Sequence, residues 1–186
     1  MDGTFRNLNA LGMVIICGVL ALTEYFQLIG GEMPCPLCLL QRAGLVGVLF
    51  GLLLNLIYGP RPQHYSLAML AALLGAATAL RQISLHVIPG TPGYGGPLMG
   101  YHYYTWAFLL FCLIITGIAI ISAFEKQYKK PTFISFRNQS QPGKTAIVIT
   151  FAIVATNILV TFAECGPSIC PDNPDDYWLF GFYRTL

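Results

Sequence analysis

Two cysteines separated by a proline and a leucine, Cys35-Pro36-Leu37-Cys38, stand where a long apolar run begins, and Arg42 follows the second of them by one helical turn. At the start of a helix the unpaired backbone N–H groups and the positive end of the dipole favour a thiolate, which lowers the pKa of a sulfur and raises its reactive fraction. Arg42, on the same face as Cys38, adds a permanent cation that favours the thiolate further and can hydrogen-bond an oxygen of a bound acceptor. Pro34 and Pro36 restrict the approach to the helix and are expected to expose the first sulfur. The chemistry this arrangement suits is thiol–disulfide exchange. The same spacing also suits half a zinc site or an inert disulfide. Cys165 and Cys170 can in principle complete a metal site, although Arg42 disfavours a second cation beside it.

The second pair lies in Cys165-Gly166-Pro167-Ser168-Ile169-Cys170. Gly166 and Pro167 suggest a turn, and the stretch 171–176 suggests an exposed segment. Cys17 and Cys112 fall inside apolar runs and are expected to be small buried apolar residues.

What must position these sulfurs is a membrane bundle. Only 10% of the 186 residues are charged and 55% are hydrophobic, far below the roughly 25% charge of a soluble domain. A net charge of +2 is too small to imply a nucleic-acid partner. Crossing a hydrocarbon core of roughly 30 Å takes about 20 apolar residues. Five segments meet that need: 8–29, 39–58, 65–85, 103–124 and 145–162. Arg81 interrupts the third, where snorkelling accommodates it. The first lacks a clear small-x-small cleavage site and is expected to be retained. Arg6, Arg61, Lys126, Lys129, Lys130, Arg137 and Lys144 all fall before the first segment, between the second and third, or between the fourth and fifth, against Arg184 alone in the opposite connections. By the positive-inside rule the N-terminus is expected in the cytoplasm and the C-terminus outside. Both cysteine pairs then share the disulfide-permissive face.

Cys-Pro-Leu-Cys followed by Leu39-Leu40-Gln41-Arg42, at the outer start of the second helix, resembles the DsbB family of disulfide bond formation proteins. The stretch from His86-Val87-Ile88-Pro89-Gly90 to Tyr104-Thr105-Trp106-Ala107-Phe108 resembles it too. The resemblance implies an all-α, four-helix DsbB-like transmembrane domain (1–124). To this the present chain adds a basic cytoplasmic loop (125–144), a fifth transmembrane helix (145–162) and a periplasmic cysteine-containing tail (163–186). It also implies a bacterial inner-membrane enzyme, a thiol:quinone oxidoreductase, that oxidises a periplasmic DsbA-type thiol oxidase and passes electrons to ubiquinone or menaquinone of the membrane pool. Cys38 would then meet the quinone beside Arg42, and Cys35 would exchange with a second pair. The family keeps that pair in the loop between its third and fourth helices, where this chain has no cysteine. Cys165 and Cys170 are expected to replace it, with Cys170 the one reached by the donor.

His86, at the outer end of the third segment, is a candidate donor to a quinone oxygen and equally a plain interfacial histidine. Glu24 is expected to pair with Arg81 or Arg42, with proton handling as the alternative role. Tyr101, Tyr103, Tyr104 and Trp106 are expected to form an interfacial belt in preference to a wall on which a quinone stacks. Tyr177, Trp178, Phe180, Phe182 and Tyr183 suggest that the tail returns to the membrane surface. Two rivals stand beside the oxidase: a relay carrying reducing equivalents outward, and a non-catalytic membrane protein whose cysteines bind metal or staple the fold.

Overall fold

The computed structural model describes residues 2–88, 90, 91, 93, 95–128, 132–167, 169–172, 174 and 176–180. The chain folds into five long helices: α1 (Asp2–Leu28), α2 (Pro36–Tyr58), α3 (Pro62–His86), α4 (Tyr103–Ser122) and α5 (Gln141–Cys165). A short antiparallel hairpin, β1 (Pro97–Leu98) with β2 (Tyr101–His102), precedes α4. All five helices are long and apolar enough to span a membrane. The protein is an all-α membrane protein. Lys129, Lys130, Phe182, Tyr183 and Arg184 lie outside the described residues.

Helices α2 and α5 begin before the apolar runs that announce them because capping residues extend those ends, whereas α4 stops at Ser122, short of the expected 124. Cys35 caps α2 with Pro36 in its first turn. Ser140 caps α5, its hydroxyl accepting from the Gly143 N–H at 3.3 Å, with proline again in the first turn. Proline suits that turn because its missing N–H would be unpaired there in any case. At the other end α5 runs on to Cys165, so this cysteine closes the last helical turn and does not sit in the tail. Helix α3 passes through Arg81 without a break, and the side chain is exposed.

Two interfaces set the frame. On α2 a stripe of Gly44, Gly47 and Gly51 faces Gly75, Ala71 and Ala68 of the antiparallel α3, so close that a Cβ on Gly47 would stand 2.7 Å from that of Ala71. Small residues at such spacing let membrane helices approach to backbone contact. At Gly51 the added Cβ would lie 2.7 Å from the carbonyl oxygen of His64, which cannot give way without moving α3. Gly51→Val should therefore destabilise the bundle by about 1–3 kcal/mol, seen as a lower thermal midpoint in detergent. An unchanged midpoint would refute this close packing.

The second interface joins α1 to α5, which run parallel. Ser140 donates to Asn7 at 3.1 Å, Cys17 meets Thr150 at 3.4 Å, and Asn157 donates to Glu24 at 3.2 Å, each pair 133 residues apart. Thr156 also donates to Glu24 at 2.9 Å. Polar side chains join helices where no water competes. Glu24 is thus held by α5, not by the arginines expected to pair with it. Cys112 of α4 is exposed, contrary to expectation, whereas Cys17 is buried as expected.

The connections α2–α3 and α4–α5 and the start of α1 share one end of the bundle. There Arg6 donates to the carbonyls of Leu56 and Thr132, and Asn9, Asn55, Tyr65 and Gln127 form a chain of hydrogen bonds of 2.9–3.1 Å. The opposite end carries the C-x-x-C pair.

Candidate thiol redox site

The N-cap of α2 is itself a cysteine, and the cap turns its sulfur inward. Cys35 Sγ accepts from the Cys38 backbone N–H at 3.3 Å. It lies 2.8 Å from Cys38 Sγ, with no disulfide between them. Cys35 is only 7% exposed, so the flanking prolines do not expose it as expected. Capping geometry wins, because the sulfur is drawn over the helix start toward the N–H donors. The hydrogen bond shared with Cys38 and burial hold the Cys35 thiol well above its ordinary range. In the reduced pair Cys35 therefore keeps its proton. Cys38 is the more accessible of the two.

A third side chain completes the pair. Gln82, on α3, directs its amide nitrogen at both sulfurs, 3.2 Å from Cys35 and 3.4 Å from Cys38, while its oxygen accepts from Gln41 at 2.7 Å. Such donors stabilise negative charge on sulfur as it develops. Gln82 is 1% exposed and Gln41 is 7% exposed. Neither was singled out by cysteine spacing. The available signal was an uncharged but strongly polar amide inside an apolar segment, which is costly there unless it has a partner.

Cys38 opens onto a cavity of about 670 Å³. Its polar end is formed by Cys38, Gln41, Arg42 and Gln82, and its walls by apolar residues of α1 and α4, among them Val19, Leu22, Phe26 and Leu110. The loop 31–34, Gly95, Leu98 and Pro174 form its rim. Tyr103, Tyr104 and Trp106, expected in an interfacial belt, line it as well. Tyr101 stays outside, 58% exposed. The volume falls within the range of small-molecule sites, about 300–1,000 Å³.

Arg42 shares the cavity with Cys38, as its spacing predicts. Its guanidinium is buried and committed to α1, with Nη1 donating to Gln27 at 2.6 Å and Nη2 to the Thr23 carbonyl at 3.1 Å. His86 is not among the lining residues. Its Nδ1 donates to the Gln82 carbonyl at 2.8 Å, and its ring stacks on Tyr104, which does line the cavity. A second histidine, His102, stacks on Tyr104 at 5.3 Å between ring centroids.

Cys165 and Cys170 are bonded to each other at the end of α5 and do not line the cavity. Trp178 packs over Gly166 and against the Phe162 ring, folding the tail back so that Pro174 reaches the rim. Among the described residues no group of three or more His, Cys, Asp or Glu side chains converges as a metal site.

A family model described as disulfide bond formation protein DsbB matches residues 5–93. Curated relatives called disulfide bond formation protein B agree. One from Stutzerimonas stutzeri is 37% identical over 90 residues, which are 45% of this chain and 54% of the relative. One from Marinobacter nauticus is 38% identical over 90 residues, 46% and 54% of the two chains. One from Ralstonia nicotianae is 37% identical over 90 residues, 48% and 57%. The chain thus spans about half the length of the curated relatives it matches. The family model takes in α1–α3 with Cys35, Cys38, Arg42, Gln82 and His86, and stops short of α4 and of the tail pair. No solved structure matches the chain.

Proposed function

We propose that this chain, which belongs to the DsbB family through residues 5–93, is a disulfide-generating thiol:quinone oxidoreductase of the bacterial inner membrane, with its cysteine pairs facing the periplasm. The observation that carries the proposal is the opening of Cys38 onto an apolar cavity whose one polar end holds Arg42, Gln41 and Gln82.

The cavity suits a quinone in shape and donor set: apolar walls for a prenyl tail, aromatic side chains beside them, and Arg42, Gln41 and Gln82 as the residues that would hold the ring oxygens. When bound, ubiquinone or menaquinone supplies the two-electron oxidant for the Cys35–Cys38 dithiol. The chain's own groups prepare that dithiol. Gln82 and the helix N-terminus favour charge on sulfur, Arg42 supplies a fixed cation, and the short Cys35–Cys38 separation lets one sulfur close on the other.

Upstream, a reduced DsbA-type donor gives two electrons and two protons to Cys165–Cys170, forming its own disulfide as theirs breaks. The tail dithiol then reduces Cys35–Cys38 in the same way, a second disulfide forming as the first is lost. Each exchange is an attack by thiolate on disulfide. Pro174 at the cavity rim and the fold-back of the tail support an approach of the second pair to the first.

Purified protein given a dithiol and ubiquinone-1 or menadione should consume quinone and dithiol one for one, followed by quinone absorbance. No quinone-dependent thiol oxidation, with stoichiometric zinc retained on the four cysteines, would leave the metal-binding rival standing instead.

A further inference from the structure

One buried acid next to the tail pair has no part in the relay above. Glu164 is the chain neighbour of Cys165, in the last turn of α5, and is 1% exposed. One carboxylate oxygen, Oε2, accepts from Gln27 Nε2 at 2.9 Å. The other, Oε1, has no hydrogen-bond partner among the described residues. The same Gln27 uses its own oxygen to accept from Arg42 at 2.6 Å. Gln27 is 2% exposed and Arg42 6%. A single amide thus stands between a buried carboxyl group of α5 and a buried cation of α2, and that cation shares the cavity with Cys38.

Burying a charge is costly unless it is matched by a partner. Within the described site the amide bridge offers that match without letting the two charges collapse into a direct pair. A direct pair would spend the Arg42 cation on Glu164. A bridge leaves part of its field at the sulfur, where a nearby cation favours the thiolate. The geometry points to Glu164 as a positioning residue of the redox site: acting through Gln27, it sets how strongly Arg42 favours the reduced Cys35–Cys38 pair. The fifth helix then does more than deliver the tail. It contributes a buried carboxyl group that reaches Arg42 through Gln27, in addition to Glu24 of α1.

The inference rests on the reading of Cys35–Cys38 as the redox pair. Its test uses neither quinone nor donor protein. Full-length protein in detergent is equilibrated at pH 8 in glutathione buffers of graded ratio, acid-quenched and alkylated, and the state of each pair is read by peptide mass spectrometry. Glu164→Gln removes the counter-charge, so Arg42 acts on the sulfur unopposed. The first pair should then be reduced more readily, its equilibrium constant shifting about tenfold, or about 30 mV for a two-electron couple. Glu164→Asp, which keeps the charge, should stay within about threefold of wild type. Gln27→Asn, too short to touch both partners, should shift in the same direction as Glu164→Gln, and it carries the test should that variant fold poorly. An unshifted equilibrium in both Glu164→Gln and Gln27→Asn overturns the inference, as does a shift toward the oxidised pair. A shifted equilibrium in a protein with no quinone-dependent oxidation would overturn the proposed function and leave the role of Glu164 standing. An active oxidase with no shift would do the reverse. A first pair that never forms a disulfide in any buffer sinks both.

Discussion

Cys38→Ser should abolish quinone-dependent dithiol oxidation, a loss of at least about 10³-fold, because the nucleophile is gone and not merely weakened. Arg42→Met should leave a residue of activity, about 10²-fold below wild type, the size of effect expected when one fixed electrostatic donor is removed. The ordering follows from where the groups sit. Cys38 faces the cavity and Cys35 does not, so any acceptor held there meets only one sulfur. The same asymmetry predicts that a small apolar maleimide will modify reduced Cys38 at least about tenfold faster than Cys35, since the thiolate is the reactive form and Cys35 stays protonated and buried. Peptide mapping after brief labelling gives the answer. Preferential labelling of Cys35, or quinone turnover surviving in Cys38→Ser, would assign the wrong sulfur to the cavity.

The second large effect concerns the tail. A protein donor cannot bring a sulfur to Cys35, which is 7% exposed, whereas a small dithiol entering the cavity reaches Cys38. Cys165→Ser and Cys170→Ser should therefore cut oxidation of a reduced DsbA-type protein by about 10²-fold or more, while oxidation of dithiothreitol stays within about threefold of wild type. The contrast between the two donors is the diagnostic, since exchange rates depend on access to the attacked sulfur. If the tail disulfide is a clamp, both activities should fall together with the thermal midpoint. If the protein donor turns over normally in both variants, the tail has no place in the relay.

Helix number and order were legible because apolar length is a coarse quantity, and each of the five segments satisfies it without help from its neighbours. Their ends were less so. Ser140 and Cys35 extend α5 and α2 beyond the apolar residues by capping, and a cap counts for nothing in a hydropathy window. Around the site, the C-x-x-C and Arg42 declared themselves because all three lie within about two turns of a single helix. Gln82 and Gln27 did not, because their value depends on three-dimensional approach: Gln82 crosses from α3 to two sulfurs on α2, and Gln27 from α1 to partners on two other helices. Glu24 shows the same limit from the other side. An acid expected toward the same end of the bundle as two arginines invites an ion pair, yet neutral Thr156 and Asn157 are what reach it. Tyr103, Tyr104 and Trp106 carry the composition of an interfacial belt, and only the packing of α1 against the start of α4, where Phe26 meets Tyr103 at 5.5 Å between centroids, turns them into a cavity wall.

The parallel register of α1 and α5 has a bearing on how the chain is made. Synthesis delivers α1 first and α5 after every other helix, yet Glu24, Gln27 and Cys17 on α1 find their partners on α5. Until α5 is in place Glu24 lacks the Thr156 and Asn157 donors that hold it, and an unmatched carboxylate in hydrocarbon is costly. The nascent protein thus carries an unmatched acid on α1 until α5 slots beside it. A quality-control protease that recognises polar residues in a membrane helix would find the unfinished chain and pass over the finished one.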